Sequence, residues 1–165
     1  MKKLMFIILC IPCVAFAQAT DNQYRQSTTS SRTPDENFKR LIAWWNSYQD
    51  CAGKKLVDSV RNSTSREIHL TGNIPVQYTM YGGTSDGGIV KFKLKLTMTE
   101  NSVEYQFYDL IHKATPGVKH KDGGEVLQEK PTKGSAIFGK TWKSYQDQTM
   151  TFIHATENEI IKTVK

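Results

Sequence analysis

The sequence contains only three cysteines and only one long apolar run, and most of the cysteines lie within that run. Two of its three cysteines, Cys10 and Cys13, lie inside that run, which occupies residues 4–14. Two lysines precede the run and the small-x-small segment 15–17 follows it, which is the pattern of a cleaved secretory signal peptide. The run is too short to remain as a membrane span. Residues 1–17 are therefore predicted to be a signal peptide, and the mature chain is not expected to span a membrane.

Only one cysteine remains after cleavage, which excludes an intrachain disulfide. Removing 17 of the 165 residues leaves 148, enough for one domain with its own core. This mature chain would begin at Gln18 and work in the periplasm or at the cell exterior of a bacterium. We expect Cys51, near the end of the first helix, to be buried and inert; a reactive thiol is the alternative.

Sequence motifs of catalysis, cofactor binding and metal binding are missing. The four histidines form no HExxH pair, no CxxC or carboxylate-rich calcium loop occurs, and the glycine-rich segment 82–88 lacks the lysine of a phosphate-binding loop. The best polar pair is Asp109 and His112, but residues three apart on one strand point to opposite faces. We therefore predict no enzyme, no catalytic residues, no cofactor and no metal site.

Positive charge is in modest excess. The net charge of +6 falls to +4 when the two lysines of residues 1–17 are removed, and residues 112–143 carry seven lysines against three acids. This stretch is interpreted as a solvated lysine-rich loop, with attraction to anionic lipid or polysaccharide as the alternative. Because the chain is predicted to be secreted and no aromatics alternate with these lysines, we expect no nucleic-acid partner.

The helical pattern begins after a polar N-terminal segment. Residues 18–33, which follow the predicted signal peptide, are rich in Ser, Thr and Gln and are predicted to be a flexible tether. Thr33, Pro34 and Glu36 then form a capping box with proline at the first helical position. Apolar side chains at steps of three and four predict the first helix: Phe38, Leu41, Ile42, Trp45, Tyr48 and Ala52. Gly53 is predicted to end it.

The strongest strand pattern lies in residues 89–111. Apolar and polar side chains alternate through Val90, Lys91, Phe92, Lys93, Leu94, Lys95, Leu96, Thr97 and Met98. A two-residue turn at residues 100–101 would place Met98 opposite Val103 and Leu94 opposite Phe107. This alternation predicts an antiparallel hairpin with one buried face and one wet face.

The remaining patterns complete an α+β prediction. Residues 56–60 and 67–71 are short strand candidates, and residues 82–88 are interpreted as a mobile turn. A final helix of about 25 residues is indicated by apolar residues at steps of three and four: Trp142, Tyr145, Thr149, Phe152, Thr156, Ile160 and Val164. Residues 34–165 thus predict a single two-layer α+β domain, with two helices packed on one face of an antiparallel sheet.

Three segments resemble a family of small secreted bacterial proteins whose domain has no assigned function and a TBP-like fold. They are the tryptophan-bearing helix 38–48, the strand 87–95 after its glycine loop, and residues 105–109 before His112. The resemblance implies four or five antiparallel strands with both helices on one face, and no known activity. Family members usually have a strand before the first helix. Either a weak strand lies in residues 23–30, or this chain lacks one and leaves a sheet edge open.

Two functions are compatible with this reading of the sequence. The first is a non-catalytic binding module of the cell envelope, with a small amphipathic ligand in a groove between the sheet and the last helix. The aromatic candidates for that groove are Trp45, Tyr48, Tyr105, Phe107 and Trp142, although such residues also simply fill cores. The second is a structural protein that binds an envelope protein through an open sheet edge. In either case a monomer or weak dimer is expected.

Overall fold

Six strands and two helices make up the part of the chain that the structure describes. This structure is a computed structural model, and it describes residues 22–49, 51–61, 66–80, 82–117, 122–131 and 139–165. The elements are β1 Tyr24–Thr29, α1 Pro34–Ser47, β2 Ala52–Arg61, β3 Arg66–Met80, β4 Gly83–Met98, β5 Ser102–Lys113, β6 Gly124–Glu125 and α2 Gly139–Val164. The predicted signal peptide lies outside the described residues.

The strands form one antiparallel sheet in the order β1-β5-β4-β3-β2, and the two-residue β6 pairs with the end of β5. Both helices pack on the same face, because Phe92 of β4 meets Trp45 of α1 edge-on and also contacts Phe152 of α2. The predicted α+β class is confirmed. The strand count is six, above the predicted four to five. No described helix is both long enough and apolar enough to cross a bilayer.

The central hairpin has the predicted register. Met98 lies opposite Val103, Leu96 opposite Tyr105 and Leu94 opposite Phe107 across β4 and β5. The inward side chains of β4 are buried, whereas its lysines lie on the opposite, open face. A shift of one residue would have moved those lysines into the core, so the alternation fixes the pairing.

The predicted tether contains the strand β1, so the prediction of a flexible segment is wrong for residues 24–29, and the alternative of a weak strand in residues 23–30 is confirmed. β1 pairs with β5 along its whole length, from Tyr24 opposite Phe107 to Thr29 opposite Ser102. Tyr24 alone supplies the apolar anchor: its ring is 4% exposed, and its hydroxyl donates to Glu157 of α2 over 2.9 Å. The flexible tether was predicted because this segment has few apolar side chains to bury. The strand is instead held mainly by main-chain hydrogen bonds to β5.

Helix α1 begins as predicted and ends earlier. The capping box of Thr33 and Glu36 is present, but the last helical residue is Ser47 rather than a residue next to Gly53. The ammonium group of Lys54 donates to the carbonyl oxygens of Trp45, Asn46 and Tyr48 over 2.9, 2.8 and 2.5 Å. This side chain, arriving from β2, binds carbonyls at the C-terminal end of the helix, of which the Trp45 carbonyl also accepts from the Tyr48 amide.

The glycine-rich segment is strand rather than a mobile turn from Gly83 onward. Gly88 has φ +96°, and a Cβ at this position would lie 2.2 Å from the carbonyl oxygen of Lys113. Glycine therefore serves close backbone approach here, which is a different use from turn flexibility. The long C-terminal helix is confirmed as the 26-residue α2.

Candidate functional site

Four of the five predicted groove aromatics lie in the core. Trp45 is 2% exposed, Tyr105 1%, Phe107 0% and Trp142 1%. They fill the layer between the sheet and the two helices, and they do not line the four surface hollows described below. Tyr48 also belongs to the core, at 7% exposed, but it additionally lines the surface hollow described next.

A groove of about 700 Å³ runs along α2, where α2, β3 and the end of α1 meet. We call it the α2 groove. Its apolar lining consists of Tyr48, Ile74, Pro75, Phe152 and Ala155, and its polar rim on α2 consists of Lys140, Lys143, Ser144, Asp147, Gln148 and Thr151. An apolar surface with a polar rim is the usual make-up of a small-molecule site.

The groove exists because β3 is longer than its neighbour β2. Pairing between these strands begins at Ala52 opposite Asn73, so the following β3 residues lack a β2 partner. The side chain of Gln148 on α2 makes some of the main-chain hydrogen bonds that a neighbouring strand would make. Its amide donates to the carbonyl oxygen of Gln77 over 2.7 Å, and its oxygen accepts from the Gln77 amide over 3.0 Å. The apolar space between these contacts and α1 stays open.

A second hollow of about 450 Å³ continues the α2 groove toward the end of α2. The two share Tyr48 and Ala155, and the second adds Trp44 of α1 together with polar residues of α2. The Trp44 indole nitrogen is buried and has no hydrogen-bond partner among the described residues. An elongated ligand could therefore extend past Ala155 from one hollow into the other.

The electrostatics of the α2 groove are set by two lysines at one end. Lys143 pairs with Asp147, with 2.6 Å between Nζ and Oδ1, and both side chains are largely exposed. Lys140 forms no ion pair with the described residues. The end of the groove near the start of α2 therefore carries one net positive charge, while the middle is apolar.

Cys51 is buried, as predicted, and is 7% exposed. Burial raises the pKa of its thiol, although a backbone hydrogen bond from Asn73 and the nearby Lys54 act in the opposite direction. The sulfur also lies against Gly72, where a Cβ would come within 2.2 Å of it. A protonated thiol enclosed in this way packs as a small apolar side chain.

Asp109 and His112 lie on opposite faces of β5, so the structure does not bring them together. Asp109 faces outward and pairs with Lys93, with 2.7 Å between carboxylate and ammonium. His112 is 0% exposed: Nε2 lies 2.7 Å from the carbonyl oxygen of Gly87, and Nδ1 accepts from the Gly123 amide over 3.0 Å. A neutral imidazole protonated on Nε2 satisfies both contacts.

One polar cluster, which surrounds Glu157 of α2, was not predicted from the sequence. Its carboxylate accepts from the hydroxyls of Tyr24 and Tyr105 and lies 3.2 Å from Nδ1 of His154. Burial raises the pKa of Glu157, but hydrogen bonds from Tyr105, His154 and Tyr24 outweigh burial, and the pKa lies below its usual value. Burial and Glu157 raise the pKa of Tyr24 to about 12.

Hydrogen bonds of this cluster connect β1 and β5 to α2.

Across the described ranges, no three His, Cys, Asp or Glu side chains converge as they would around a metal ion.

Two solved structures resemble the fold. A TBP-like protein from Parabacteroides distasonis matches with a TM-score of 0.61 and 16% identity, over 90% of this chain and 96% of that one. A DUF4468 family protein from Bacteroides ovatus matches with a TM-score of 0.61 and 9% identity, over 90% of both chains. No protein-family model and no curated protein matches the sequence. At these identities the likeness shows the TBP-like fold, in agreement with the predicted resemblance, and carries no activity.

Proposed function

We propose that this protein is a non-catalytic binding module of a bacterial cell envelope that holds a small amphipathic ligand in the α2 groove. The observation that carries the proposal is the composition of that groove. Its apolar lining of Tyr48, Phe152 and Ala155 continues into a second hollow, and its other end bears Lys140. A ligand with an apolar chain and an anionic or polar head matches both ends.

The positions of the potentially reactive side chains support the non-catalytic part of the proposal. Cys51 is enclosed, and Asp109 and His112 are separated by the sheet. The envelope location is supported by the signal-peptide pattern of residues 1–17. Mass spectrometry of the protein from a periplasmic fraction tests that location, with a mature N-terminus at Gln18 expected.

Calorimetric titration with laurate, a single-chain amphiphile used below its micelle concentration, tests the ligand. Ala155 is exposed and lies where the two hollows meet, so Ala155→Phe should obstruct the groove. Ala43→Phe is the matched control, because Ala43 is exposed on α1 and lines no described hollow. We expect saturable binding of one laurate, abolished by Ala155→Phe and retained by Ala43→Phe. Absence of binding, or equal binding by both variants, would refute the proposal.

A separate observation favours a second function, binding of an envelope protein at the β2 edge. Within the described ranges β3 is the only strand that pairs with β2, and Val57 on β2 is 56% exposed, the only large hydrophobic side chain of those ranges that is exposed. Strand addition at such an edge gives main-chain hydrogen bonds to a partner. Two register shifts in β2 work against a long regular pairing. Cross-linking in cells with a photoreactive residue at Val57 should capture a discrete partner if this function operates.

A further inference from the structure

The open face of the sheet, opposite the helices, carries a hollow that the α2 groove does not include. It has a volume of about 420 Å³ and is lined mainly by outward side chains of β3, β4 and β5, with Gly53 of β2 at one side and Gly72 and the edge of Phe92 at its floor. In the register of the sheet, Lys91 lies between Asn73 and Ile111, and Thr71 lies beside Lys93. We call it the open-face hollow. Because it is formed by adjacent paired strands, its side chains are held at fixed spacing.

The charges of this hollow are balanced except at one lysine. Lys93 pairs with Asp109 over 2.7 Å, and Lys113 pairs with Asp122 over 2.8 Å. Asp109 reaches Lys93 because β5 bulges there: φ of Asp109 is +53°, and the register shifts between Lys91 and Lys93. Lys91 pairs with no acid in the described part of the chain. One net positive charge is left, at the centre of the hollow.

Two uncharged donors lie next to Lys91. The carboxamide of Asn73 and the hydroxyl of Thr71 line the hollow and make no hydrogen bond to another described residue. The sequence leaves room for that carboxamide, since Gly53 has φ +57° and a Cβ at Gly53 would lie 2.5 Å from Asn73 Nδ2. Three polar groups without a partner among the described residues thus line one hollow.

A smaller hollow of about 280 Å³ adjoins the first, and its walls are mixed, with Val57, Leu70 and Tyr108 beside the polar side chains of Asp58 and His69. The two share Thr71 and Lys93, and the smaller one adds the Tyr108 ring and the exposed Val57. Lys93 Nζ lies 5.7 Å from the centroid of the Tyr108 ring, so this ring is held at the border of the two hollows. A flat apolar group of a ligand would contact Tyr108 and Val57 there.

We propose that the open face of the sheet binds a small organic acid with a flat apolar body. Its carboxylate lies against the ammonium of Lys91 and the amide of Asn73, and its body lies over Thr71 against Tyr108 and Val57. One unbalanced cation matches one carboxylate, and charge-assisted hydrogen bonds to a carboxylate are the stronger kind. This site shares no residue with the α2 groove and stands whether or not that groove holds a ligand.

Amide chemical shifts of the full-length mature protein, titrated with benzoate, test the site. Saturable shifts are expected at residues 71, 73, 91 and 108. Acetate, which has the carboxylate without the ring, should bind more weakly at residues 73 and 91. Benzylamine, which has the ring and the opposite charge, should leave these amides unshifted. Stronger binding of inorganic phosphate than of benzoate would overturn the role of the Tyr108 ring and Val57.

The Lys91→Gln variant should weaken benzoate binding by about tenfold or more, because it removes a charge-assisted hydrogen bond. The matched control is Lys95→Gln. Lys95 points outward from the same strand, pairs with Glu67 over 3.0 Å and lines neither hollow. The Lys95→Gln variant should bind benzoate as the wild type does. Equal loss in both variants, no loss in Lys91→Gln, or shifts that never saturate would overturn the proposal.

Discussion

Replacing Glu157 by leucine should destabilise the fold by removing the acceptor that two buried tyrosine hydroxyls share. Tyr105 is 1% exposed and Tyr24 is 4% exposed, and both donate to this carboxylate. Water has little access to either ring, and leucine offers no acceptor. A buried hydroxyl left without a partner costs about 1–3 kcal/mol. The two together give an expected loss of about 2–6 kcal/mol in the free energy of unfolding.

Urea unfolding followed by tryptophan fluorescence measures this loss. The informative control is the triple variant Tyr24→Phe, Tyr105→Phe and Glu157→Leu, in which donors and acceptor disappear together. It should recover most of the stability, because replacing both partners of a hydrogen bond by apolar groups can be nearly neutral. If Glu157→Leu stays within about 0.5 kcal/mol of the wild type, the range of ordinary surface substitutions, the cluster contributes no stability and the reasoning is wrong.

The same cluster gives a defined dependence on pH. The pKa of Glu157 in the folded protein lies below its ordinary value of 4.5. Its stabilisation is therefore complete above pH 4.5 and is lost as the pH falls through the lowered folded value. Glu157→Gln should lack this part of the acid transition. The pKa of Tyr24 is raised from 10.0 to about 12, so its contribution is complete below pH 10 and is lost as the pH rises through about 12.

Three further predictions concern α1, the sheet and the thiol. Lys54→Met should lower the free energy of unfolding by about 1 kcal/mol, because it removes the ammonium from three carbonyls at the end of α1. Lys55→Met, at the exposed neighbouring residue, is the control and should leave the free energy of unfolding almost unchanged. Urea unfolding measures both variants. In the same assay Gly72→Ala should lower the free energy of unfolding by about 1–3 kcal/mol, because its Cβ would lie 2.2 Å from the Cys51 sulfur and 2.7 Å from Phe92. Gly139→Ala is the control and should be neutral, because no heavy atom lies within 4 Å of its Cβ position. Cys51 should react with a thiol reagent far more slowly in the native protein than in urea, and an equal rate would contradict its burial.

The elements that the sequence predicted best are those with local or strictly alternating signals. The capping box at Thr33 is confirmed because a hydroxyl and a carboxylate three residues apart satisfy each other's backbone within one turn. The register from Met98 to Phe107 is confirmed because only one alignment buries the apolar face. Both arguments need nothing beyond neighbouring residues.

The corrected elements depend on distant partners. β1 is ordered by the edge of β5 and by Glu157, which is 133 residues away from Tyr24 in the chain. α1 ends at Ser47 and its last carbonyls are bound by Lys54, which arrives from the next strand. No spacing within either segment reveals such contacts. For the same reason, the Glu157 cluster gave no local signal.

The size of an aromatic side chain is a poor guide to binding in this fold. The layer between two helices and a sheet must be filled, and the largest rings, such as Trp142 and Tyr105, fill it to complete burial. Space for a ligand arises where regular pairing is interrupted. The α2 groove opens where β2 no longer accompanies β3 past Asn73, and the open-face hollow lies beside the bulge at Asp109. Sequence features that interrupt pairing, such as Pro75 and Gly53, therefore indicate candidate sites in this protein better than its aromatic residues do.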